Sequence, residues 1–184
     1  VVLWSMRILA IGDFQGKFPQ SLKRKLRRED FDLVVGVGDY TGVDTWKSYT
    51  FDLFKRIKRG DDRISPEEFY GENKFRKLEN EDFEEGKKVL FELNRLGKPL
   101  ILVFGNSDDT WYTYPNSKLS KATSQSKNFV RKLKNVRDIT YSHKNFREFD
   151  IVGFGGYMDI EAYFKKKTFK AEREMVPIKI KRHR

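Results

Sequence analysis

The chain has no cysteine, and its only histidines are His143 and His183. Without Cys there are no disulfides, thiolate metal sites or Cys nucleophiles, which suits a reducing interior and gives the cytoplasm as the expected compartment. A long apolar run is missing too. Val1 to Ile11 is apolar but is broken by Arg7 and ended by Gly12-Asp13, so it reads as a first strand and not as a signal peptide or membrane span. Membrane is therefore not an expected partner, and Val1–Ser5 reads as a candidate leader ahead of a start at Met6. No phosphate-binding Walker A, H-E-x-x-H or Gly-flanked nucleophile serine is present. Gly153-Phe154-Gly155-Gly156 lacks the spacing of a dinucleotide fingerprint and reads as a close turn at a strand end. There is no internal repeat or low-complexity tract.

Positive charge is abundant. The 184 residues carry a formal charge of +11 and a sequence pI of about 9.7, which favours anionic partners: phosphorylated substrates first, with nucleic acid also admitted. The cations cluster at Lys23-Arg24-Lys25, Arg27-Arg28, Lys55-Arg56 with Lys58-Arg59, Arg131-Lys132 with Lys134, and Lys165-Lys166-Lys167. Each alone reads as a solvated helix face; together they create a field that concentrates phosphates. The Lys, Arg and Glu content without Cys also resembles a thermophile's composition.

The length fits a single domain over residues 1–184, with a core over 1–160 and a basic helix and charged tail over 161–184. Strands and helices alternate. Leu22 and Leu26 mark a short basic helix ending near Glu29 or Asp30. Trp46, Tyr49, Leu53, Phe54 and Ile57 recur at helical spacing until Gly60. Ser65-Pro66-Glu67-Glu68 is a capping-box helix start, residues 69–79 read as an insertion beside the site, and Glu81 to Leu96 reads as a helix closed by Gly97. The aromatic stretch from Thr110 to Pro115 either lines a pocket or packs beneath a surface loop. Ser120 to Lys134 is expected as a basic helix, Val136–Tyr141 and Phe146–Phe154 as strands, and His143 as a solvent-exposed turn residue between them.

Three short runs concentrate the chemistry. Gly12-Asp13-Phe14-Gln15-Gly16, Gly38-Asp39-Tyr40-Thr41-Gly42 and Gly105-Asn106-Ser107-Asp108-Asp109 each follow an apolar β-like run, namely Ile8–Ile11, Leu33–Val37 and Leu100–Phe104. Ligands of open α/β sheets gather outside the carboxyl ends of the strands, so the order sets two carboxylates and an amide around one crevice. Asp and Gly are also ordinary turn residues, and Asp13 and Asp39 equally suit the capping of following helices, with Asn106 holding a turn.

The runs resemble those of the calcineurin-like metallophosphoesterases, whose motifs read G-D-x-H, G-D-x-x and G-N-H-[DE], followed by a lone His and G-H-x-H. The resemblance covers Met6 to Met158 and implies an αββα sandwich with mixed sheets, lacking its C-terminal strands. It sets Asp13 on the first metal ligand, Asp39 on the carboxylate bridging two metals, Asn106 on an amide ligand, and Asp108 on an acid that acts in catalysis or orients substrate. Gln15 and Ser107 stand where the family has histidines, and the later histidine motifs are absent, which gives the chain the look of a truncated one. Gln15 still offers an amide oxygen as a metal ligand. Hard oxygen donors suit Mn²⁺, Mg²⁺ or Fe²⁺, with Ni²⁺ or Zn²⁺ behind them, as one or two ions. Two functions follow. One is a metal-dependent phosphoesterase acting on phosphodiesters or phosphomonoesters with an altered metal site; the other is a degenerate relative that binds nucleic acid or a protein without hydrolysis.

Overall fold

The computed structural model describes residues 6–108, 110–113, 121–153 and 155. Four short strands build one parallel sheet in the order β1-β2-β3-β6: β1 (Ile8–Ile11), β2 (Leu33–Gly36), β3 (Leu100–Leu102) and β6 (Val136–Asp138). In register, Ile8 sits beside Leu33, Val34 beside Leu100, and Leu102 beside Asp138. All four carboxyl ends therefore point the same way.

The sheet buries unequal amounts on its two faces. Val34, Leu100 and Leu102 face Leu26, Val89, Leu90, Leu93 and Leu133, the inward stripes of the helices and of the turn after the last one. These helices are α1 (Gln20–Leu26), α4 (Glu72–Asn94) and α5 (Ser124–Val130). On the opposite face Leu33, Ile101 and Ile139 pack against Phe146 and Ile151 of an antiparallel hairpin, β7 (His143–Phe146) and β8 (Phe149–Val152). The fold is a mixed α/β layer structure with a helix-covered parallel sheet, as the sequence predicts. Among the described residues no helix is long and apolar enough to cross a membrane.

The helix-start chemistry at Ser65 holds in full: its side chain accepts from the Glu68 N–H and the Glu68 carboxylate accepts from the Ser65 N–H, opening α3 (Pro66–Tyr70). Gly60 ends α2 (Val43–Arg59) in the left-handed region, φ 79°.

Several elements differ from expectation. Residues 69–79 are largely helical: most of them form the first turns of α4, which begins at Glu72, with Trp46, Tyr70 and Phe75 in ring contact between α2, α3 and α4. Tertiary aromatic packing supplies the apolar face that this polar stretch lacks on its own. Helix α5 starts only at Ser124, because Lys121–Ala122 is instead strand β5, paired with β4 (Tyr112–Thr113), and the Thr123 side chain caps the helix. The strand expected over Phe146–Phe154 is half of the hairpin, whose turn holds Arg147 at φ 53°. His143 opens β7 instead of lying in a turn. Val1–Ser5, Tyr114, Pro115, His183 and the expected basic helix and tail over 161–184 lie outside the described residues.

Candidate functional site

The three motif runs emerge side by side at the carboxyl ends of β1, β2 and β3 and are stitched together by backbone. The N–H of Asp13 donates to the Gly38 carbonyl at 3.0 Å, those of Phe14 and Gln15 to the Asp39 carbonyl at 2.8 and 3.1 Å, and that of Gly16 to the Tyr40 carbonyl at 3.0 Å. The second and third loops touch more closely still. A Cβ on Gly38 would lie 2.6 Å from the Gly105 nitrogen, and one on Gly105 would lie 2.2 Å from Asp39 Oδ1. Only glycine leaves room for that approach.

Asp13, Gln15 and Asp39 all occupy the left-handed backbone region, at φ 55°, 48° and 57°. A non-glycine residue pays of order 1–3 kcal/mol for a sparsely populated conformation, so it persists only where its surroundings over-determine it. Here the cross-loop hydrogen bonds do so. Neither aspartate caps a helix, since the N-cap positions of α1 and α2 are Pro19 and Gly42. Asn106 does sit in a turn, closed by the Asp108 N–H donating to the Gly105 carbonyl at 3.3 Å.

The side chains have open valences. Asp13 is exposed, and its Oδ1 accepts from the Gln15 amide at 3.0 Å. Asp39 is half-buried, and its Oδ1 accepts from the Ser107 N–H at 3.0 Å. Each carboxylate keeps its second oxygen without a donor among the described residues, and the exposed Asn106 amide is likewise unengaged there.

Asp108 has a different environment. It is fully buried, and its two oxygens accept four backbone N–H groups: Asp39 at 2.9 Å and Gly105 at 2.7 Å on Oδ2, Tyr40 at 2.8 Å and Thr41 at 3.1 Å on Oδ1. Burial pushes its pKa up to about 7, the Gly105 donor opposes the rise, and the Asp39 charge adds to it. With all its acceptor capacity taken by backbone, this carboxylate is a clasp holding the second loop on the third. The Thr41 hydroxyl reinforces it by donating to the Ser107 carbonyl.

Sequence reasoning missed a second buried acid, Asp82, in the middle of α4. It accepts from the Gly42 N–H and the Thr110 hydroxyl, both at 3.0 Å, so it ties the helix to the exits of the second and third loops. Burial raises its pKa to about 6 against those donors. The signal was weak: an Asp in a run of acids reads as solvent-facing. Gly86, one turn on, was the better clue, because a Cβ there would lie 2.6 Å from Trp111 Nε1. Trp111 is fully buried and stacks on Phe83 at 4.3 Å and on Phe104 at 5.7 Å, so of the two readings of the aromatic stretch it fits packing beneath the loop.

A family model described as calcineurin-like phosphoesterase matches residues 6–175. A solved crystal structure superposes with a TM-score of 0.56 at 20% identity, covering 83% of this chain and 54% of that one. The chain thus spans about half the length of that protein, and a likeness at this identity shows the fold alone. No curated protein matches the chain.

Proposed function

The chain belongs to the calcineurin-like phosphoesterase family, and we propose that it hydrolyses phosphoester bonds of anionic substrates where its three strand-end loops meet, with a divalent cation held by Asp13, Asp39 and Asn106. The observation that carries the reading is the pair of aspartates in left-handed backbone at successive parallel strand ends, each with an uncommitted oxygen and neither serving a helix. Outliers of this kind cluster at functional sites.

The donor set fits a hard, oxygen-liganded cation such as Mn²⁺ or Mg²⁺. Among the described residues no three His, Cys, Asp or Glu side chains gather, so the fit is to an Asp, Asp and Asn set, with the Gln15 amide oxygen as a further donor. The chemistry a divalent cation supplies when bound there is Lewis-acid polarisation of a phosphoryl oxygen and neutralisation of its charge. The rest is the chain's own work. The Ser107 N–H aims Asp39, the Gln15 amide aims Asp13, and the Asp108 clasp fixes the loop that carries Asp39 on the loop that carries its Ser107 donor. Ser107 cannot replace an imidazole as general acid, which forgoes about 10²–10⁴-fold in rate and favours esters with good leaving groups.

Binding of an anion without turnover is the second reading, favoured by Gln15 and Ser107 in the place of histidines and by the small acidic set. The test is hydrolysis of bis-p-nitrophenyl phosphate and p-nitrophenyl phosphate with Mn²⁺, Mg²⁺, Ni²⁺ or Zn²⁺ supplied in turn. Turnover that needs metal and falls by about 10²-fold or more in Asp39→Asn supports the enzyme. Absence of turnover with every metal leaves the binding reading.

A further inference from the structure

From Thr110 to Arg137 the sequence contains no Asp or Glu at all, yet it carries Lys118, Lys121, Lys127, Arg131, Lys132, Lys134 and Arg137. Acids are otherwise plentiful, 27 in 184 residues, so charge of one sign is segregated into this stretch. The part of it running from α5 through β6 borders a cavity of about 400 Å³ whose wall includes Lys127, Arg131, Lys134, Phe104 and Asp138. The wall's acid, Asp138, has one oxygen engaged by the Thr140 N–H at 2.8 Å.

Position ties this cavity to the loop crevice. Asp138 ends β6 in register with Leu102 of β3, and Phe104, two residues further on, directly precedes Gly105-Asn106. The cavity therefore runs the length of β6: Phe104 and Asp138 wall it at the carboxyl end, next to the candidate site, and Lys134 lies in the turn that enters β6 at the amino end. The charges there are also uncommitted. Across the rest of the described surface many cations have acidic partners, such as Lys23 with Glu92, Lys87 with Glu84 and Arg56 with Asp52, whereas Lys127, Arg131 and Lys134 have none among the described residues. All three are exposed.

We propose that the surface from α5 to β6 binds the backbone of single-stranded nucleic acid and leads a phosphodiester into the strand-end crevice. An unpaired array of Lys and Arg binds phosphates by releasing counterions and needs no base contact. A cavity of this size lies within the roughly 300–1,000 Å³ of small-ligand pockets, room enough for one splayed nucleotide unit, which a duplex does not offer. The inference rests on the phosphoesterase reading for what is done to the strand, but strand binding stands apart from metal chemistry.

Binding is therefore measured with metal chelated, by fluorescence anisotropy of a short mixed-sequence DNA oligonucleotide against salt from about 50 to 200 mM. The unmodified protein is expected to lose affinity steeply across that range. The triple variant Lys127→Gln, Arg131→Gln, Lys134→Gln is expected to bind about ten-fold or more weakly, with a log–log salt slope smaller by about 2, at roughly 0.7 per lost single-strand contact. The comparison variant Arg24→Gln, Lys25→Gln, Arg28→Gln, on the basic groove of α1, is expected to keep most of the affinity. A salt-insensitive wild type, an unchanged first triple, or equal losses in both triples would each overturn the proposal. Because chelation silences hydrolysis, failure here is distinct from failure of the metal site, which small esters report.

Discussion

The strand-end loops lie at the carboxyl edge of one sheet, the surface from α5 to β6 runs from that edge to the opposite one, and the two treat charge in opposite ways. At the loops the acids are held at fixed points: Asp108 takes four backbone N–H groups, Asp82 of α4 takes the Gly42 N–H and the Thr110 hydroxyl, and one oxygen of Asp39 takes the Ser107 N–H. On the α5 surface Lys127, Arg131 and Lys134 are exposed and in no ion pair among the described residues. The first arrangement fixes geometry at a cost in desolvation; the second leaves geometry loose and keeps long-range attraction. The proposed hydrolysis of a phosphodiester within a strand would draw on both.

The contrast breaks most sharply at the clasp. Asp108→Asn keeps shape but turns an amide NH₂ toward two backbone N–H donors, those of Asp39 and Gly105 if the new oxygen stays with Tyr40 and Thr41. At about 1–3 kcal/mol for each unsatisfied buried group, a loss of about 3–5 kcal/mol is expected in urea unfolding; a loss under about 1 kcal/mol would mean that the clasp is not what holds the loops.

Asp82→Asn should behave differently, because the Thr110 hydroxyl can rotate to accept from the new amide while Gly42 still donates to its oxygen. Its effect shows in pH dependence. A buried Asp raised from an unfolded value near 4 to about 6 holds its proton in the folded state longer than in the unfolded one. The folded chain thus binds more protons between those values, and stability falls as pH rises from about 4 to 6, by roughly 2–3 kcal/mol from this group. The variant should flatten that segment of the stability curve; an unchanged slope would place the proton elsewhere.

Gly105→Ala drives a methyl into Asp39 Oδ1. It should cost about 1–3 kcal/mol by overpacking, and it should depress turnover further than that loss explains, since the displaced group is the proposed ligand. Retained turnover would detach Asp39 from the chemistry. Smallest of all, Lys127→Gln or Arg131→Gln should change stability by no more than about 0.5 kcal/mol, as exposed substitutions do; a larger loss would show that these cations hold structure.

Much of this edge was legible in the sequence. Apolar runs ending in Gly-Asp or Gly-Asn located β1, β2 and β3 and the loops beyond them, and Ser65-Pro66-Glu67-Glu68 announced α3 through chemistry confined to four neighbours. What depended on distant partners was not legible. Helix α4 begins nine residues earlier than Glu81 because Phe75 meets Trp46 of another helix. Asp82 is buried because a loop forty residues away needs an acceptor. Lys121–Ala122 is a strand only because Tyr112–Thr113 lies beside it. At the candidate site, the runs single out Asp13, Asp39 and Asn106 as proposed ligands, but the clasp geometry of Asp108 and the left-handed backbone of Asp13, Gln15 and Asp39 arise only when the loops meet.

The most direct measurement is Mn²⁺ binding followed by electron paramagnetic resonance, for the wild type and Asp39→Asn at matched thermal stability. A bound ion in the wild type that is lost in the variant is the predicted result. No binding by the wild type, or equal binding by both, would contradict the placing of a metal-dependent site at these strand ends.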